Sequence, residues 1–315
     1  MKMAVLGNTG LRVSTLCFGT LPMGPLESNI SIPEGAKVLR KAFELGVNFV
    51  DTAHTYRTYE YIREAKRGWD NKLIIATKFG LTAAGEVKDG VEKALNDMEL
   101  DYLDIVLLHS ARAEDPFVRF KETLAVLKEY KTAGKIKHIG LSSHSVVSIN
   151  QAAVHPDIEV IHPLINYKGL GIISGTAEDM VNSIKIARGN GKGVYAMKVF
   201  AGGNLLDNYS ESIDYIVKNE IVDSMAIGMV TEQEVAVNAE YITTGKIPST
   251  EKDKIRTTGK HVIVLGFCKG CGKCVETCPN FAITLVDKKA VVEKEKCLIC
   301  GYCGGVCPEL AIRVV

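Results

Sequence analysis

Over residues 1–240, short apolar runs alternate with longer stretches in which apolar residues recur every three or four positions. The runs are LCFGT, NFVDT, LIIATK, DIVLLH, HIGLSS, EVIHPLIN, GVYAMK and SMAIGM, and they predict eight strands. Between them PEGAKVLRKAFELG, KDGVEKALNDMEL and RFKETLAVLKEYKTAGK predict amphipathic helices. In the last of these Leu124, Leu127 and Tyr130 share a face, and Gly134 stands where a helix C-cap glycine would. Eight strand–helix units in this length match the α/β class and the size of a (β/α)8 TIM barrel. An open doubly wound sheet is the rival, but it usually carries G-x-G-x-x-G after its first strand, and that pattern is absent. The Walker A pattern is absent too. GNGKG at 189–193 follows a helix and precedes a strand, so it reads as a helix stop.

After the barrel the pattern changes. Cys268, Cys271, Cys274 and Cys278 read C-x2-C-x2-C-x3-C, followed by Pro279. Cys297, Cys300, Cys303 and Cys307 repeat the spacing, followed by Pro308. CKGCGKCVETCPNFAITL and CLICGYCGGVCPELAIRV thus form an internal repeat. This run resembles that of bacterial two-cluster [4Fe-4S] ferredoxins, a small α+β fold, in which the fourth cysteine of each run serves the other cluster. The resemblance implies Cys268, Cys271, Cys274 and Cys307 for one cluster, and Cys297, Cys300, Cys303 and Cys278 for the second. Gly270, Gly272, Gly301 and Gly304 suit a backbone turning close to inorganic sulfur. Zinc fits a repeated run of four with trailing Cys-Pro poorly. Disulfides need an oxidising compartment, and MKMAVLGNTG does not read as a signal peptide. The ninth cysteine, Cys17, lies in an apolar run and reads as a core residue.

In a barrel of this kind chemistry gathers at the C-terminal ends of the strands. Asp51 and Tyr56 follow the second strand, Lys78 ends the third, His109 the fourth, Ser142 and Ser143 the fifth, and Asn166 the sixth. His109 alone reads as readily as a core histidine, and Tyr56 as a packing residue. Four such residues on consecutive strands are harder to dismiss. Here the chain resembles the aldo-keto reductases. DTAHTY resembles the family's Asp-Thr-Ala-x-x-Tyr, LIIATK carries its lysine, DYLDIVLLH its histidine, and GKIKHIGLSSHS the segment that reaches the nicotinamide. GNTGLRVSTLCFGT looks like the opening hairpin and first strand, and the likeness covers residues 3–241.

The resemblance implies a catalytic tetrad of Asp51, Tyr56, Lys78 and His109. Hydride delivered to a carbonyl carbon builds charge on oxygen, so a positioned acid must supply a proton. Tyr56 would be that acid. Lys78 is expected to lower its pKa, Asp51 to pair with Lys78, and His109 to hold the carbonyl oxygen as a neutral donor. For NAD(P) the resemblance implies contacts from Ser142, Ser143, His162, Lys198, Gly228, Thr231 and Asn238. Several positions depart from the family. His162 stands where a Gln commonly binds the carboxamide, Met197 and Lys198 where a Tyr often stacks, and Val230 where a cation grips the 2′-phosphate of NADP. Losing that cation removes charge-assisted bonds, which weakens the case for NADP. Arg57 replaces the usual Gly and reads by default as a surface residue.

The expected division is a barrel over 1–241, a linker over 242–260 with a short helix capped by Thr250 and Asp253, and a ferredoxin module over 261–315. The family's long substrate loops and closing tail are missing, and the module stands in the tail's place. If it packs beside the barrel mouth, a cluster lies near the site. Pro22 and Met23 after the first strand, with His54 and His144, are further candidates for the pocket wall. Apolar residues make up 46% and charged residues 24%, ordinary for a soluble globular chain. The net charge of +1 argues for neither nucleic acid nor anionic membrane as partner, and no apolar run is long enough to span a bilayer. Residues 261–315 carry seven Lys/Arg against five Asp/Glu, hence +2, unlike the strongly acidic surface of a free ferredoxin. That suits an internal relay or an acidic redox partner. The expected compartment is a reducing cytoplasm. The expected function is an iron–sulfur oxidoreductase acting on a small carbonyl or alcohol, the clusters relaying electrons or bracing the fold. The alternative is a non-catalytic electron-transfer or redox-sensing protein on a retained barrel.

Overall fold

A computed structural model describes residues 1–110, 112–218, 220–246 and 261–314. All eight predicted runs form strands: β1 (Leu16–Gly19), β2 (Phe49–Asp51), β3 (Ile74–Phe79), β4 (Leu103–His109), β5 (Ile136–Ser143), β6 (Val160–Pro163), β7 (Gly193–Ala196) and β8 (Ser224–Gly228). They pair in parallel, each with its successor, and β8 pairs back to β1 to close a barrel. Parallel strands covered on both faces need apolar residues on both faces, which is why these runs are nearly continuous rather than alternating. Inside the barrel Cys17, Phe49, Ala76, Ile105, Leu107, Val160 and Tyr195 pack together. Leu6, Leu11 and Val13 of the opening hairpin close its base. Outside, strand and helix side chains form one large shell around Leu39, Ile62, Val91, Leu127, Ile149, Ile184 and Ile213.

The helix starts use the expected chemistry. Ser31, Thr176 and Thr231 each accept from the backbone N–H three residues on, in reciprocal capping boxes with Glu34, Asp179 and Glu234. The last barrel helix, Glu232–Thr244, ends on Gly245 in the left-handed conformation. The expected linker helix around Thr250 and Asp253 lies outside the described residues.

The C-terminal module is built twice over, as its sequence repeat requires. Val262–Val264 pairs antiparallel with Ile312–Val314, and Ile283–Val286 forms a hairpin with Lys289–Val292. Short helices Lys273–Thr277 and Tyr302–Gly305 each carry the third cysteine of a run. The module lies on the barrel. Arg112 donates to the backbone oxygens of Glu276 and Cys278 and stacks over Phe281. Asn280 bridges His144 Nδ1 at 3.0 Å and Gly171 O at 2.7 Å. Asn204 donates to Cys297 O at 2.9 Å. Two backbone approaches are too close for any side chain: a Cβ on Gly301 would sit 1.9 Å from Leu26 O, and one on Gly202 1.9 Å from Leu298 O. Both glycines also have positive φ, where an L-residue is strained. Among the described residues no helix is long and apolar enough to cross a membrane.

Candidate active site

The ends of β2, β3 and β4 bring Asp51, Lys78 and His109 together, and the turn after β2 adds Tyr56. Lys78 is fully buried and donates to Asp51 Oδ2 at 2.6 Å and Thr52 O at 2.8 Å. Its ammonium stands 4.9 Å from the centre of the Tyr56 ring. The Tyr56 and His109 rings meet edge-on, 6.0 Å apart. A buried ion pair holds only when its remaining bonding capacity is met. Here Thr52 O serves Lys78, and Tyr195 donates to Asp51 Oδ1 at 2.8 Å.

Burial sets the ionisation of this group. It pushes Lys78 below its ordinary value, with Asp51 opposing. It pushes His109 well down, helped by the Lys78 charge, which keeps the imidazole neutral as expected. Tyr56 goes the other way from the sequence expectation. Burial, then the neighbouring Tyr302 and Asp51, raises its phenol well above the usual tyrosine value. Lys78 faces the ring and spends its hydrogen bonds on Asp51 and Thr52, so desolvation outweighs its charge.

A cavity of about 510 Å³ opens beside this group. Asp51, Tyr56, His162, Lys198, Gly228, Thr231 and Asn238 line it, together with Pro22 and Val230. Its size and its mostly apolar wall with a few polar groups suit a small organic ligand or cofactor. Ser142 and Ser143 are buried beside His162 and Pro163 in the strand register and do not line that cavity. Neither does His144, which is spent on Asn280 at the module interface, nor the fully buried Met23. Arg57 is exposed. At the far end the departures noted in the sequence have a structural use. Glu234 turns back to accept from Val230 N and Thr231 N, at 2.6 and 3.2 Å, and Thr231 caps the following helix. Asn238 is held by Tyr209 and by Glu234 O.

The cysteines gather in the two sets the ferredoxin resemblance implies. Cys268, Cys271, Cys274 and Cys307 line one small cavity. Cys278, Cys297, Cys300 and Cys303 lie close enough for each charge to act on the others. Backbone N–H groups of Ala282 and Ala311 point at the sulfurs of Cys278 and Cys307, at 3.3 Å each. Sulfur-lined hollows with amide donors aimed at thiolate suit iron–sulfur clusters.

Four residues of this region lay outside the sequence reading. Tyr195 supports Asp51, and its place on β7 two residues before Met197 marks it as inward-facing. Arg112 and Asn280 clamp the module to the barrel. Tyr302 reaches the catalytic group, its Oη 3.5 Å from His109 Nε2. Nothing local signals the Arg112, Asn280 and Tyr302 contacts to the other domain, which join residues 136 to 193 positions apart.

Comparison with known proteins agrees with this architecture. The Aldo/keto reductase family model matches residues 15–256, and a 4Fe-4S dicluster domain model matches residues 267–311. The chain is 26% identical over 219 residues to L-galactose dehydrogenase of Arabidopsis thaliana, covering 66% of this chain and 68% of that protein. It is 32% identical over 199 residues to a probable aldo-keto reductase of Glycine max, covering 53% and 57%. The chain thus spans little more than half of that relative and about two thirds of the first. Among solved structures, a putative aldo-keto reductase of Pseudomonas aeruginosa matches with TM-score 0.65 at 26% identity, over 75% of this chain and 92% of that one. An aldo-keto reductase of Bacillus halodurans shares the fold, with TM-score 0.66 at 21% identity over 81% and 95%. The barrel, the family match across most of its length and the cysteine module together establish that this chain belongs to the aldo/keto reductase family and carries a 4Fe-4S dicluster domain at its C-terminal end.

Proposed function

We propose that the protein is a cytoplasmic oxidoreductase that interconverts a small carbonyl and its alcohol and prefers NAD(H) to NADP(H), with clusters that relay single electrons or brace the fold. The observation that carries the reading is the cavity that ends on Tyr56 and Asp51, with Lys78 and His109 beside them. In reduction, Tyr56 would donate the proton as charge develops on the substrate oxygen. A raised phenol pKa keeps that proton in place until then. Neutral His109 would orient the oxygen, and the Lys78 ammonium, held in place by Asp51, would stabilise the phenolate left behind. When bound, the nicotinamide supplies hydride and the clusters supply single-electron transfer.

The preference for NAD(H) follows from Glu234. Its carboxylate takes the two backbone N–H groups just ahead of the helix, at Val230 and Thr231, and sets a negative charge there. A 2′-phosphate there would meet a like charge and no cation from Val230. Anaerobic titration of cluster-loaded protein with NADH and with NADPH tests this, following nicotinamide fluorescence and cluster absorbance together. Tighter binding of NADH than of NADPH supports the reading, and cluster bleaching would separate a relay from clusters that brace the fold. Binding of neither nucleotide contradicts it and favours a redox-sensing barrel.

A further inference from the structure

Tyr302 belongs to the cluster module, between Gly301 and the ligand candidate Cys303, yet its side chain lies in the barrel site. The phenol oxygen is 3.5 Å from His109 Nε2, and the two rings meet at 68°. Tyr56 and Thr55 lie near enough to this phenol to act on its ionisation. Tyr302 therefore sits on His109, one of the two groups that would hold a substrate oxygen, and the Tyr56 ring meets the same imidazole. The loop that carries it is fixed from both sides. Gly301 is pressed against Leu26 O, and Leu298 is buried among Leu164, Ala201 and Leu205 at the foot of the loop.

From this geometry we infer that Tyr302 is a specificity-determining residue of the carbonyl site: its hydroxyl holds the oxygen position, and a substrate reaches Tyr56 and His109 only by displacing it. A phenol is well suited to the place. Its oxygen accepts hydrogen bonds as a carbonyl does, and it carries its own hydroxyl as the alcohol product does. Two oxygens cannot share one pair of donors at van der Waals distance, so the seated phenol and a bound carbonyl exclude one another. Carbonyl compounds able to reach the tetrad are then those whose binding offsets the loss of the Tyr302 contacts. Because the loop is fixed, the Tyr302 side chain is the part that gives way, and it does so between the cysteines Cys300 and Cys303. The inference rests on the reading of Tyr56 and His109 as the oxygen-binding pair.

The test is calorimetric titration of cluster-loaded protein, anaerobic and free of nucleotide, with benzamide. This neutral probe has a carbonyl oxygen and cannot turn over without a hydride source. Tyr302→Gly is expected to bind benzamide at least tenfold tighter than the parent, and Tyr302→Phe several-fold tighter, at unchanged iron content. If the glycine variant loses its clusters, the phenylalanine variant, nearly equal in volume, decides. Unchanged or weaker binding in cluster-loaded variants overturns the inference and leaves the tetrad reading standing. A gain that survives Tyr56→Phe and His109→Gln in the Tyr302→Gly background sinks the tetrad reading as well, since the new space would then lie elsewhere. Loss of the gain in that background confirms both.

Discussion

The two cysteine loops share a spacing and differ in what lies between the cysteines. In the first, Lys269, Gly270, Gly272 and Lys273 fill the gaps; in the second, Leu298, Ile299, Gly301 and Tyr302 stand at the same places. The structure gives that difference a direction. Lys269 and Lys273 are exposed, and so is Cys271. Leu298 and Ile299 are buried, and Tyr302 reaches His109. Cysteine spacing therefore sets the ligands, while the residues between them set which end of the module faces water and which faces the barrel. The exposed basic loop suits an acidic electron-transfer partner. The apolar loop faces the barrel and brings Tyr302 onto His109 of the candidate site.

The largest effect should come from inverting this polarity. Leu298→Lys places an ammonium in the apolar contact with Leu164, Ala201 and Leu205, and should cost about 3 kcal/mol or more of docking stability. Lys269→Leu, the reverse change on the exposed loop, should stay within about 0.5 kcal/mol. Thermal unfolding of the two variants checks the contrast, and equal losses would break it. Next in size, Tyr56→Phe should lower carbonyl reduction by about 10²–10⁴-fold while cluster reduction by dithionite is unchanged. Val230→Arg should then tighten NADPH binding by about tenfold, since a charged hydrogen bond contributes roughly 1.5–3 kcal/mol and Glu234 offsets part of it.

A smaller effect should appear with pH. Burial lowers His144 to about 3, with the Lys198 charge adding to it, and lowers His162 to about 4. Both lie below the unfolded value of about 6.5, so the unfolded chain takes up protons first. Their stabilising contribution is full above that value and is lost as pH falls from about 6.5 toward 4. Each should cost about 1 kcal/mol per pH unit in that window. His109, His144 and His162 share this fall, and His144 joins the module to the barrel through Asn280, so His144→Gln should flatten the fall in melting temperature between pH 7 and pH 5 by roughly a third. An unchanged slope would remove His144 from the account.

Much of this was legible in the chain because it depends on local pattern. Continuous apolar runs such as DIVLLH and LIIATK announce strands buried on both faces, and all eight appear in the barrel. The group of Asp51, Tyr56, Lys78 and His109 was legible because its members end or follow three consecutive strands, where barrel topology alone gathers side chains. Tyr195 was within reach of strand alternation, since Met197 on the same face had already been placed near the cofactor. Tyr302, Asn280 and Arg112 were not, because their contacts depend on how a second module sits on the first. The direction of the Tyr56 pKa failed for a related reason. Charge neighbours can be read from a motif, but the desolvation that outweighs them comes from a whole folded surface, including Tyr302. Thr231 was legible as a cavity residue, whereas the return of Glu234 onto Val230 N was not.

The central claim is that the second cluster cradle belongs to the active site and the first to the solvent. An EPR-monitored redox titration of the two clusters, with and without saturating NAD⁺, tests it most directly. The account predicts that one of the two midpoint potentials moves when NAD⁺ binds, that Tyr302→Phe moves the same one, and that Lys273→Glu moves the other. Potentials that ignore NAD⁺, or that shift together in every case, would contradict it.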